Sequence, residues 1–94
     1  MFNVPIPAPR RSVIYQVEFK PRAIKDLKVL PVAEYRRVVS KIEVLQNNLD
    51  GDVKQLTNFT PEYRLRVGNY RVLFEIEDDK VIVYRIVHRK DAYR

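Results

Sequence analysis

The chain contains no cysteine and no tryptophan, one histidine, one methionine and two glycines. Without cysteine, disulfides and thiolate metal sites are excluded. A single histidine among scattered carboxylates is too little for a structural zinc site. Neither a metal nor an organic cofactor is therefore expected. No apolar run approaches the roughly 20 residues of a membrane-spanning helix, so no membrane partner is expected. The first twelve residues, MFNVPIPAPRRS, lack the continuous apolar region of a signal peptide. That points to the cytoplasm. A helix-turn-helix pattern and an aromatic stacking motif are also missing, which argues against a general nucleic-acid-binding module.

What remains is a 94-residue chain, 46% apolar and 32% charged, the composition of one globular domain. Its net charge of +6 suits a polyanionic ligand or an acidic partner. The arginines are unevenly spread, which favours that reading over a merely solubilising surface.

Residues 1–12 carry Pro5, Pro7 and Pro9 followed by Arg10 and Arg11. Proline at alternate positions removes backbone donors and disfavours helix, so an extended or disordered tail is expected. The domain proper is expected over 13–94. Residues 13–19 alternate, with Val13, Tyr15, Val17 and Phe19 on one side, and read as a strand with its odd face inward. Pro21 suits the first turn of a short helix bearing Ile24, Leu27 and Leu30. Pro31 stops that helix and can open the next. Tyr35, Val38, Val39, Ile42, Leu45 and Leu49 recur at spacings of three and four and predict one buried helical stripe. Asn47, Asn48 and Asp50-Gly51 end it, because asparagine and glycine tolerate left-handed conformations. The two helices are expected to form an antiparallel hairpin across one face of a sheet. Residues 50–61 read as a polar loop pinned by Leu56 and Phe59. Lys54 lies in it as a candidate phosphate contact or an ordinary solvated lysine.

Residues 63–93, YRLRVGNYRVLFEIEDDKVIVYRIVHRKDAY, read as three strands joined by two tight turns. A two-residue loop at Gly68-Asn69 sets Val67 against Tyr70, Arg66 against Arg71 and Arg64 against Leu73. Tyr63, Leu65, Val67, Tyr70, Val72, Phe74 and Ile76 then share a wholly apolar or aromatic face, which belongs under the helices. Arg64, Arg66 and Arg71 are forced together on the other. Like charges directly opposed cost up to about 1 kcal/mol. An anion between them reverses the sign, since guanidinium groups grip phosphate in a bidentate manner. The second turn, at Asp78-Asp79-Lys80, admits two registers. A two-residue loop places Arg85 in the core. A three-residue loop places Ile82, Tyr84, Ile86 and His88 there and Arg85 with the other arginines, and this is the cheaper choice. At the strand end His88 can still turn toward the arginines, where its ordinary pKa near 6.5 makes it the proton-transfer candidate. The tail HRKDAYR is expected to turn back and carry Arg89 and Tyr93 to that face.

The run from Tyr63 to Arg94, with VEFKPRAIKDLKVLP before it, closely resembles the signature of RelE-type toxins of bacterial toxin–antitoxin modules. The resemblance covers residues 13–94. It implies an α+β fold: an N-terminal strand, a two-helix hairpin, then a three-stranded antiparallel meander. Together these give a four-stranded, mostly antiparallel sheet with both helices on one face. It also implies a metal-independent endoribonuclease that cleaves mRNA in the ribosomal A site. The partners implied are ribosome, mRNA, an acidic or amphipathic antitoxin, and operator DNA through that antitoxin. Arg64, Arg66, Arg71, His88, Arg89 and Tyr93 match the family's catalytic positions. Arg85, Lys54 and Lys90 are the further cations expected to contact RNA. One departure is chemical: arginines stand where some members have lysines. An arginine barely deprotonates, so Arg64 and Arg66 suit charge stabilisation, and the general base stays open. The chain also ends at Arg94, one residue past Tyr93, without the longer C-terminal segment of some members. Two alternatives are a ParE-like toxin that poisons DNA gyrase without nuclease activity, and an inactive, binding-only homologue.

Overall fold

The computed structural model describes residues 14–92. The expected tail at 1–12, Val13 and Tyr93 lie outside the described residues. The element order is β1 (Gln16–Phe19), α1 (Pro21–Lys28), α2 (Val32–Leu45), β2 (Val53–Gln55), β3 (Tyr63–Val67), β4 (Tyr70–Glu77), β5 (Lys80–His88) and one 3-10 turn, Arg89–Asp91. The strands form a single sheet in the order β1-β5-β4-β3-β2. Only β1 and β5 pair in parallel; the other neighbours are antiparallel.

The helices form where proline and spacing direct. Pro21 occupies the start of α1 after Lys20 in extended backbone, and Lys25 and Lys28 in the last turn favour the helix dipole. Ala23 is fully buried, whereas Ile24, expected inward, is largely exposed. The small side chain lets α1 approach the sheet closely. In α2, Val38, Ile42 and Leu45 make the buried stripe at spacings of four and three. Tyr35 departs from it and is exposed. Leu49 departs differently. The helix stops at Leu45, and Asn48 and Leu49 turn left-handed at φ 57° and 56°. Leu49 still packs against the core from outside the helix.

One core forms between the helices and one face of the sheet. Val38, Ile42, Leu45 and Ala23 meet Leu65, Val67, Val72, Phe74, Val81, Val83 and Ile86. Tyr63, Tyr70 and Ile76 pack at its margin, so the apolar face expected of the β3–β4 hairpin is the one beneath the helices.

Three features differ from expectation. The sheet has five strands rather than four, because Val53–Gln55 of the supposed loop pairs with β3. Three residues carry too little alternation to announce a strand. Gly51 starts it at φ 133°, where an added Cβ would lie 2.9 Å from Leu65. Second, the β4–β5 loop has two residues, since Glu77 pairs with Lys80. Arg85 nonetheless stays out of the core. The register jumps between Leu73 opposite Arg85 and Phe74 opposite Val83, so Tyr84 is an unpaired bulge residue. The extra residue flips the side-chain parity. Third, and as a consequence, Val81 and Val83 join the cluster beneath the helices in place of Ile82 and Tyr84, although Ile82 is itself buried. Ile86 lies beneath the helices, and His88 faces the same way opposite Tyr70.

Candidate anion-binding face

The sheet face away from the helices gathers the cations. Paired residues lie on the same face, so two cross-strand rows follow from the register. One runs Lys54, Arg64, Leu73, Arg85 across β2 to β5. The next runs Arg66, Arg71, Val87. The rows are two residues apart along β3, about 6.8 Å at the antiparallel rise of roughly 3.4 Å per residue.

These cations differ in what already holds them. Arg64 is nearly covered, with its side chain 14% exposed, and its Nη1 donates to the Asp52 carbonyl at 3.0 Å and carboxylate at 3.2 Å. Arg66 Nε lies 4.0 Å from the other oxygen of the same carboxylate. Asp52 thus bridges the two arginines of β3. It is anchored there by the Arg66 N–H, which donates to its carbonyl at 2.9 Å. Arg71 folds over the turn, donating from Nη1 to the carbonyls of Gly68 at 2.9 Å and Tyr70 at 3.0 Å. Carbonyls orient the guanidinium without neutralising it. Arg89 reaches the same turn through its backbone, whose N–H donates to the Asn69 carbonyl at 2.7 Å. Glu75, a possible partner for these arginines, is engaged elsewhere, accepting the Glu62 N–H at 2.9 Å.

Arg85 is tied down. Its Nε donates to Asp26 Oδ2 at 2.8 Å and its Nη2 to Oδ1 at 3.4 Å. The same Oδ2 accepts the Ile86 N–H at 2.9 Å. That N–H lies beyond the reach of β1, whose pairing with β5 ends at Val83. Asp26 therefore continues the edge of the sheet from α1.

His88 shares a cleft with Arg85 of the first row, and not with Arg64, Arg66 or Arg71. Its ring meets Tyr70 edge-on at 5.5 Å between centroids, on the helix side. Its Nδ1 accepts the Lys90 N–H at 3.3 Å and caps the 3-10 turn. It borders a cleft of about 400 Å³ with Asp26, Leu30, Tyr70 and Ile86. The expected swing of His88 toward the arginines is not the geometry observed, because the bulge at Tyr84 sets its parity and the cap uses its Nδ1. Lys90 is exposed on the 3-10 turn.

Asp52 and Asp26 carry no sequence signal. The first needs the unannounced β2 to bring it beside β3, and the second needs the end of β1. Lys80 is held above its ordinary 10.5, first by its hydrogen bond to Glu18 and then by the Glu18 charge. The ion pair spans 3.1 Å between exposed side chains.

A helix pair on one face of a β1-β5-β4-β3-β2 sheet, with an arginine-lined opposite face, defines a small α+β fold. Residues 17–93 match the family described as ParE toxin of type II toxin-antitoxin system, parDE. Toxin RelE3 of Methanocaldococcus jannaschii is 37% identical over 83 residues, covering 83% of this chain and 94% of the relative. The toxin-containing RelB–RelE complex of Methanococcus jannaschii has a chain with TM-score 0.65 and 38% identity, covering 77% of this chain and 89% of that one. A chain of the RelBE2 toxin–antitoxin complex of Mycobacterium tuberculosis gives TM-score 0.71 at 30% identity, covering 82% and 100%. The chain belongs to the ParE toxin family of type II toxin–antitoxin systems, among its RelE-type members.

Proposed function

We propose that this toxin is a ribosome-dependent mRNA endonuclease, silenced by a cognate antitoxin. The observation that carries the reading is the direct opposition of Arg66 and Arg71 in the register, with Arg89 fastened to the same turn. Such a cluster is costly without an anion and suits a phosphate. In the proposed reaction the 2′-oxygen attacks the adjacent phosphorus and loses its proton. The bond to the 5′-oxygen breaks, and that oxygen takes up a proton. A 2′,3′-cyclic phosphate and a 5′-hydroxyl result. Arg71 and Arg89 hold the scissile phosphate, while Arg64 and Arg66 add charge along the backbone. Fixed charges aimed at the developing phosphorane are the largest contribution a site of this kind makes. His88 faces Tyr70, so we place it beside the reaction rather than at the phosphate. Tyr93 remains the proton-bearing side chain that the resemblance assigns to substrate. An antitoxin partner is supported by the RelB-bound toxins of Methanococcus jannaschii and Pyrococcus horikoshii.

The test is expression of the chain with and without its antitoxin, followed by mapping of transcript ends. Translation-dependent cuts that vanish when the antitoxin is present are expected. The match to the ParE toxin family favours one second reading, the gyrase poison that the resemblance to ParE toxins implies. Intact transcripts with accumulated gyrase–DNA cleavage complexes would establish that reading and dismiss the nuclease.

A further inference from the structure

At the opposite end of the sheet from β2, β1 is the outermost strand of the described residues. The Gln16 and Lys20 N–H groups donate to the Asp79 and Val83 carbonyls at 2.8 Å, so the even residues of β1 turn their backbone toward β5. The odd residues turn theirs outward. The Tyr15 N–H is taken there by the Gln46 carbonyl at 2.9 Å. By the same parity Val17 and Phe19 face an edge that no strand of the described residues covers. Beside this edge, between β1 and α2, lies a groove of about 230 Å³ lined by Val17, Phe19, Val39, Ile42, Glu43 and Gln46. A cavity of about 150 Å³ holds a benzene ring, so the groove has room for a large apolar side chain. Val17, Phe19 and Val39 are half-buried along it, and Glu43 is exposed at its rim.

We propose that residues 2–8 of the same chain dock on this edge, antiparallel to β1, with their apolar side chains in the groove. The segment FNVPIPA separates into two alternating sets. Phe2, Val4, Ile6 and Ala8 are apolar and keep their backbone N–H groups. Pro5 and Pro7, with Pro9 after them, lack theirs. In a strand, alternate residues share both a face and an edge. One edge of this segment therefore keeps its donors and the other has lost them. Proline belongs on edge strands with its missing N–H toward solvent, so the even-numbered edge is the one that meets β1. Residues directly opposed across a ladder share a face, and Val17 and Phe19 pack on the helix side. The even-numbered side chains then enter the groove against Val39 and Ile42. The length suffices. With Ile6 opposite Val17, residues 7–13 carry the chain round the Ile14–Asn47 bridge, and extended they span about 23 Å. Arg10 and Arg11 fall in that connection and complement the charge of Glu43. The docked segment closes an edge that otherwise invites pairing with another chain. None of this rests on the nuclease reading.

The test is amide hydrogen exchange of the full-length, isotopically labelled chain, read by NMR at two protein concentrations. Exchange at the β4 amides reports that the rest of the fold is intact. The variants are Val4→Pro, which removes a donor on the edge facing β1, Asn3→Pro, which removes one on the solvent edge, and a double replacement, Val4→Asp with Ile6→Asp. Burying one large apolar side chain is enough to slow local opening at least about ten-fold. The Val17 amide is therefore expected to exchange at least about ten-fold more slowly in the parent than in Val4→Pro or the double variant. Asn3→Pro is expected to keep the parent's rate, and the rates are expected not to change with concentration. Equal Val17 exchange in the parent and the double variant would overturn the docking. An Asn3→Pro chain as fast as Val4→Pro would overturn the strand pairing. Protection that grows with concentration would overturn the same-chain assignment in favour of a second copy.

Discussion

Replacing Asp26 with alanine tests how the sheet's open edge is held. The carboxylate is 12% exposed and accepts from Arg85 Nε at 2.8 Å and from the Ile86 N–H at 2.9 Å. Ile86 is buried, so its N–H is left without a partner in the variant. An unsatisfied buried donor costs about 1–3 kcal/mol. The Arg85 pair contributes less, about 1 kcal/mol, because Arg85 is 36% exposed and screened by solvent. The sum is about 3 kcal/mol, which in a domain of this size lowers Tm by roughly 12–24 °C. Asp26→Asn keeps an oxygen for the Ile86 N–H and loses only the charge, so a loss of about 1 kcal/mol is expected. Thermal and urea unfolding of both variants, with Arg85→Ala beside them, reads these values. If Asp26→Ala unfolds within about 0.5 kcal/mol of the parent, the carboxylate does not hold the edge and the account of Arg85 as a tied residue fails.

Other perturbations give distinct signatures. Asp52→Asn removes the carboxylate that bridges Arg64 and Arg66. Since Asp52 is 56% exposed, the competing contact is weak, and phosphate-analogue binding should tighten about 2–5-fold; unchanged or weaker binding in a folded variant would show that Asp52 does not compete. Gly51→Ala meets both the φ of 133° and the 2.9 Å approach to Leu65, so a loss of about 2 kcal/mol in urea unfolding is expected, and a neutral result would refute the need for glycine there. Lys80 titrates above its ordinary 10.5 because of Glu18. A raised folded pKa gives stability that is full below the unfolded value and is lost as pH rises through the folded one, so Glu18→Gln should erase a stability decline seen above about pH 10.5; a decline of equal size in the variant would discount the pair.

The β3–β4 register is legible in the chain because a glycine turn and a strictly alternating apolar face leave one consistent pairing. The α2 stripe is legible because Val38, Ile42 and Leu45 are large, apolar and regularly spaced. Ala23 is not, because a methyl group gives little periodic signal even where it is fully buried. The β4–β5 turn shows how two local choices offset each other. A two-residue loop would send Arg85 inward, and the Tyr84 bulge returns it outward. Charge avoidance predicts where Arg85 ends up but not which of two devices achieves it. It is silent on the consequence for His88, whose side is set by the bulge at Tyr84, which neither motif nor composition announces. The partners of the arginines are equally hidden. Asp52 and Asp26 are ordinary aspartates until β2 pairs with β3 and β1 ends at Phe19.

The central claim is that the arginine face holds a scissile RNA phosphate. The most direct test is transcript-end mapping in cells producing the parent chain or Arg71→Ala at equal levels, with circular dichroism on both purified proteins. The account predicts translation-dependent cuts from the parent and none from a fully folded Arg71→Ala chain. Equal cutting by a folded Arg71→Ala protein would contradict it.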